Sequence, residues 1–133
     1  MEQLTKNKID ELLARKPESR YKYFIRTVAE LEEVWGMADD EGWMMLEDDL
    51  DNTDVLPVFP HREFAELFYE QGEFGEEYKV DPLDLYEFME WLEDMAEQKI
   101  KVGVFPTPDF ECAVMTPEKV MADLQTEFDK ETE

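Results

Sequence analysis

Between residues 17 and 47 the hydrophobic period changes from that of a helix to that of strands, and this change constrains the fold more than any other feature. Tyr21, Phe24, Ile25, Val28 and Leu31 recur at intervals of three and four, a helical core stripe that predicts a helix over residues 17 to 33. Immediately afterwards, residues 34 to 38 and 43 to 47 form two short apolar runs around Asp39-Asp40-Glu41-Gly42, the pattern of a hairpin. Helices and hairpins must therefore share one core, which predicts an α+β class.

The rest of the chain extends that pattern. Ile9, Leu12 and Leu13 give an amphipathic N-terminal helix within residues 1 to 15, closed before Pro17 because a residue preceding proline is pushed out of helical geometry. Residues 48 to 54 are rich in turn formers, and Val55-Leu56-Pro57-Val58-Phe59-Pro60 reads as an edge strand or strand end. A helix is expected from His61 to about Gln71, with Gly72 and Gly75 breaking the pattern. Asp81-Pro82-Leu83-Asp84 has the signature of a helix start, and Leu85, Phe88, Met89, Leu92, Met95 and Ala96 form the buried stripe behind it.

Residues 101 to 106 and 112 to 115 predict a second hairpin, and Thr116-Pro117 starts a last helix with Val120, Met121, Leu124 and Phe128 inside. The acidic tail, residues 129 to 133, is expected to fray. The fold expected over residues 1 to 133 is a single α+β domain, a mainly antiparallel sheet of about five strands with helices packed on it, bounded by N-terminal and C-terminal helices. Val-Phe-Pro occurs at residues 58 to 60 and again at 104 to 106, a sign of two strand ends in similar surroundings. Trp43-Met44-Met45-Leu46 is apolar at every position, so a strand there needs cover on both faces, from the domain itself or from a second copy.

Charge narrows the partner class. Residues 1 to 26 carry seven Lys/Arg against four Asp/Glu, and the remaining residues six against thirty-two, so +3 and −26 sum to the net −23. Nucleic acid and anionic membranes are disfavoured partners for such a surface, and a basic protein is favoured. Disorder is not expected, because 43% of residues are hydrophobic and three Trp, five Tyr and nine Phe are available to a core. No apolar run reaches a membrane span, and the N-terminal residues lack the apolar stretch of a signal peptide, which predicts a cytoplasmic protein. Within the second helix the charges oppose the helix dipole, with Arg20, Lys22 and Arg26 toward its positive end and Glu30, Glu32 and Glu33 toward its negative end. The basic end is expected to face the acidic remainder.

Several blocks are familiar in register: Arg20-Tyr21 with Tyr23-Phe24-Ile25, Glu33-Val34-Trp35-Gly36, Gly42-Trp43, Leu56-Pro57-Val58-Phe59-Pro60-His61-Arg62-Glu63 and Val104-Phe105-Pro106-Thr107-Pro108. From about Ile9 to Leu124 the chain resembles the bacterial family called domain of unknown function 2750. The resemblance implies a small α+β domain of bacterial origin and carries no catalytic residues with it. The loop over residues 48 to 54 is more acidic than the resemblance leads one to expect.

Candidate sites are few. His61 and Arg62 stand where a strand delivers the chain to a helix N-terminus, a place where an imidazole, a guanidinium and backbone amides can grip an anion, with Tyr21 or Tyr23 nearby. A histidine that packs and an arginine paired with a local acid is the simpler reading. Asp48, Asp49, Asp51 and Asp54 form a candidate partner-binding loop; they fail as a calcium loop, because Asp54 occupies the turn-glycine position and Pro60 the place of the bidentate glutamate. Cys112, the only cysteine, excludes an intramolecular disulfide and reads as a small buried hydrophobe, since its one available base is His61.

These observations predict no metal, no cofactor and no catalytic set. The expected function is that of a non-enzymatic protein-binding module, monomer or homodimer, docking a basic partner, in its narrowest form an inhibitor that imitates nucleic-acid charge. The competing class is an anion-binding domain or enzyme built on the His61-Arg62 junction.

Overall fold

The computed structural model describes residues 5–39, 42–48, 53–72, 79–107 and 111–131. In chain order they form α1 (Lys6–Leu13), α2 (Pro17–Leu31), β1 (Glu33–Asp39), β2 (Gly42–Trp43), β3 (Leu46–Asp48), β4 (Thr53–Val58), α3 (Arg62–Gly72), β5 (Lys79–Asp84), α4 (Leu85–Gln98), β6 (Lys101–Val104), β7 (Ala113–Met115) and α5 (Pro117–Glu131). The α+β class, the terminal helices and the mostly antiparallel pairing are as the sequence predicts.

The strands divide into two sheets, β2-β1-β5 and β3-β4-β6-β7, in place of one sheet of about five. They are joined where Trp35 of β1 and Phe59, just past β4, exchange backbone hydrogen bonds of 3.0 and 2.8 Å. The division resolves the doubly apolar run at residues 43 to 46. The chain pairs Trp43 with Ala38 in the first sheet, keeps a last bond to β1 from Met44 N to Met37 O at 2.8 Å, and then pairs Leu46 with Val55 in the second. Met44 is buried and Met45 exposed, so no continuous strand has to cover two apolar faces.

Two further differences from the sequence expectation have physical causes. Residues 79 to 84 form a strand although Asp81-Pro82 mimics a helix start: antiparallel pairing with β1 from Glu33↔Asp84 to Ala38↔Lys79 outweighs the local signal, and Pro82 sits on the outer strand of its sheet, where a missing N–H costs least. The helix starts one turn later, at Leu85, with the Asp84 carboxylate accepting from Tyr86 N at 3.0 Å. β4 lies inside its sheet, between β3 and β6, although its prolines read as an edge; β3 pairs no farther than Val55, which leaves Pro57 clear of that ladder. α5 is helical to Glu131.

The two Val-Phe-Pro segments do share their surroundings. β4 and β6 run parallel, with Val58 opposite Val104, and Phe105 N donates to Val58 O at 2.8 Å. Phe105 then takes a left-handed conformation, φ 54°, and turns the chain out of the sheet. α5 packs on α2, on α4 and against β6, and α3 packs on β1 and β5. Phe24, Phe59, Phe64, Phe68, Phe88 and Phe105 are fully buried between these layers.

Candidate functional site

His61 follows the end of β4 and precedes α3. Its Nε2 lies 2.7 Å from the Tyr23 hydroxyl of α2, and its ring packs near Tyr23 and Phe64. Burial pushes the imidazole pKa down, while Glu63 opposes that shift more weakly. Neutral imidazole is the favoured form at neutral pH. Arg62, at 65% side-chain exposure, bonds Glu66 at 2.5 Å, one turn along the same helix. Tyr21 stands elsewhere: it points from α2 to α5, where its hydroxyl donates to the Asp123 carboxylate, and burial with that acceptor pushes its pKa far up. Of the tyrosines on α2, the structure brings Tyr23 to His61.

Behind this junction lies an arginine that the sequence reading placed against acids. Arg20 is 1% exposed, and its guanidinium donates to three backbone carbonyls: Phe105 O at 3.2 Å, Glu111 O at 2.8 Å and Arg15 O. It is a clamp between α2 and the loop that joins β6 to β7. The left-handed turn at Phe105 presents one of the accepting carbonyls. Burial lowers the arginine pKa, with Glu111 and Cys112 opposing. Burial also pushes the neighbouring Cys112 thiol up, so the neutral thiol dominates at neutral pH, the poor nucleophile of the pair.

The acidic residues are unevenly distributed. Asp48 and Asp54 lie in β3 and β4, and Asp49 and Asp51 lie outside the described residues. Among the described residues no group of His, Cys, Asp and Glu is arranged to hold a metal ion. The concentrated acid is on α4. Glu87, Glu90, Asp94 and Glu97 follow one another at three, four and three, with Glu93 beside them, and all five are exposed. They form a carboxylate ridge about 15 Å long at 1.5 Å per residue. The ion pairs formed between described residues involve α1 with Arg15 just beyond it, α3 and α5, and none includes a ridge carboxylate.

At its N-terminal end the ridge meets Asp84, the capping residue of α4. Asp84 lies directly across the ladder from Glu33, a like-charge pairing that is unfavourable. Beside them is a notch of about 410 Å³ lined by Leu31, Glu32, Glu33, Pro82, Leu83 and Asp84, in which Leu31 is 42% exposed. The spacing of the ridge was visible in the sequence; the notch was not, because it requires the β1–β5 register.

A family model described as a protein of unknown function (DUF2750) matches residues 21–124. The chain belongs to this family. The match begins at Tyr21, so α1 lies outside it, whereas the resemblance was expected from Ile9. It spans the two sheets, the Arg20-adjacent clamp loop, the His61 junction and the whole α4 ridge, and the DUF2750 description assigns none of them a role. No curated protein matches the chain. No described helix is long and apolar enough to cross a membrane.

Proposed function

We propose that this DUF2750 protein is a cytoplasmic, non-enzymatic docking module that binds a basic partner protein through the outer face of α4 and the adjoining Leu31 notch. The observation that carries the reading is the unpaired carboxylate ridge. Glu87–Glu90, Glu90–Glu93, Glu90–Asp94, Glu93–Glu97 and Asp94–Glu97 are like-charge neighbours at helical spacing, each costing about 0.2–0.5 kcal/mol. Glu97 also opposes the negative end of the helix dipole, and no basic residue occupies the last turn. Such a helix is electrostatically unfavourable by itself and is relieved when cations cover it. The notch supplies the other half of an interface: an exposed apolar residue among carboxylates suits the stem and charged head of a partner's lysine or arginine. The acidic chain through Asp48, Asp49, Asp51 and Asp54 strengthens the same field, which speeds encounter with a basic protein.

The geometry lends less to an anion site at His61 and Arg62, because the ring is held neutral beside Tyr23 and the guanidinium is engaged by Glu66. The test is affinity capture from native lysate at low salt with the wild type and with Glu90→Lys/Asp94→Lys. A basic protein retained stoichiometrically by the wild type, released by salt and lost by the variant supports docking on α4. Identical retention by both proteins refutes it. A nuclease or DNA-binding protein in the eluate selects the nucleic-acid-mimic form.

A further inference from the structure

On the opposite side of α5 from the contact with α4, a groove of about 620 Å³ opens between α2, β7 and α5. Its wall and floor include Tyr21, Ile25, Ala113 and Met115, and its size is that of a small-ligand site. What distinguishes it is charge. Four of the chain's thirteen Lys/Arg line it, Lys22 and Arg26 from α2 and Lys119 and Lys130 from α5. The α5 cations are paired, Lys119 with Asp123 at 3.1 Å and Lys130 with Glu127 at 4.0 Å.

Lys22 and Arg26 are exposed and make no ion pair or hydrogen bond with any described residue. This is not for want of acids nearby. Glu18 precedes Lys22 by four residues and Glu30 follows Arg26 by four, the spacing at which helical pairs form. Counting the lining residues, four cations against Glu18, Asp123 and Glu127 leave the groove at +1 in a chain of net −23.

We propose that this groove binds an amphipathic monoanion, a small molecule with one carboxylate or sulfonate head and an apolar body. The head is held by Lys22 and Arg26, where a guanidinium and an ammonium one turn apart form charge-assisted hydrogen bonds to one oxyanion. The body rests against Ile25, Ala113 and Met115. A single charge matters, because an acidic protein or nucleic acid would bring many charges against a chain of the same sign, whereas a monoanion meets only the local excess. The site is separate from the α4 ridge and does not depend on the docking proposal.

The probe is 8-anilinonaphthalene-1-sulfonate, followed by fluorescence and competed with decanoate or with decyltrimethylammonium. Saturable one-site binding, displaced by decanoate and not by the cation, is expected. Lys22→Gln/Arg26→Gln should weaken decanoate by about tenfold or more with the melting temperature retained. Ala113→Phe, which fills the floor while keeping both cations, should also block it. The proposal is overturned if no saturable binding occurs at about 1 mM decanoate, if the cationic amphiphile competes equally, or if the double variant binds as tightly as the wild type.

Discussion

Replacing Glu97 with lysine should stabilise this protein while weakening the docking proposed for the α4 face. Glu97 is exposed in the last turn of α4, with Glu93 one turn and Asp94 three residues before it. In Glu97→Lys both repulsive neighbours become attractive, in the favourable order of acid before base, and the new cation complements the helix dipole. Pairs at about 0.2–0.5 kcal/mol each, counted twice for the change of sign, and a dipole contribution of a few tenths give roughly 1 to 2 kcal/mol at low salt. For a chain of this length that is about 3 to 8 °C in melting temperature. Glu97→Gln removes the repulsion without adding attraction and should show about half the gain. Urea denaturation of the three proteins at low and high salt measures it, and the differences should shrink as salt screens the ridge. Loss of stability in Glu97→Lys would show that the carboxylate is satisfied within the chain, and the argument for a cation-seeking face would fail with it.

Arg20→Met should cost about 2 to 4 kcal/mol in urea unfolding, because the buried carbonyl of Phe105 and the part-buried carbonyls of Glu111 and Arg15 lose their donors together; a loss under 1 kcal/mol would mean that water replaces the guanidinium. Gly36→Ala should cost roughly 1 to 3 kcal/mol and perturb tryptophan fluorescence, since an added methyl would meet the Trp43 ring at 2.6 and 2.9 Å; unchanged stability and emission would place that ring elsewhere. For His61, burial lowers the folded pKa below the ordinary 6.5. The unfolded chain then binds more protons between the two values, so the contribution is present above about 6.5 and lost as pH falls through the folded value. Acidification also neutralises carboxylates and relieves self-repulsion. The measurement is therefore the wild type minus His61→Gln, which should fall between pH 7 and 5; a flat difference would mean that the ring is solvated.

The sequence revealed those elements whose stripe and punctuation agree, and it misled where tertiary pairing overrode them. α2, α4 and α5 follow from apolar spacing because each buries one face against a neighbour, and Thr116-Pro117 marks its helix start correctly. Asp81-Pro82 carries nearly the same signal and is a strand, because only the three-dimensional register with β1 decides between them. The split of residues 43 to 46 between two sheets was likewise invisible, since alternation says which faces are apolar and nothing about which sheet supplies them. At the site, His61 was legible as a junction residue, but its neighbour could not be chosen from sequence: both Tyr21 and Tyr23 lie on α2, and only the twist of the helix sends one to His61 and the other to Asp123. The clamp of Arg20 was missed because a basic residue in an acidic chain is naturally assigned to a carboxylate, whereas backbone carbonyls can serve a buried guanidinium without burying a second charge.

The reversed charges of α2 acquire a meaning from the order of the helices. α5 contacts both α2 and α4, so the helix layer carries the unpaired cations Lys22 and Arg26 on its α2 flank and the five-carboxylate ridge on its α4 flank. This arrangement gives the molecule a direction as well as a net charge. An approaching basic surface is drawn by the −23 field at long range, but at distances near the ~8 Å Debye length it senses local groups, so it is turned away from the α2 flank and toward the α4 ridge. Moving the cations of α2 to its other end would satisfy the helix dipole by tenths of a kcal/mol and erase that orientation. The same placement keeps the groove between α2, β7 and α5 at +1, a condition that a uniformly acidic surface would not meet. Stability of the isolated helix and polarity of the assembled layer therefore pull in opposite directions, and at Lys22, Arg26 and Glu97 the polarity of the layer prevails.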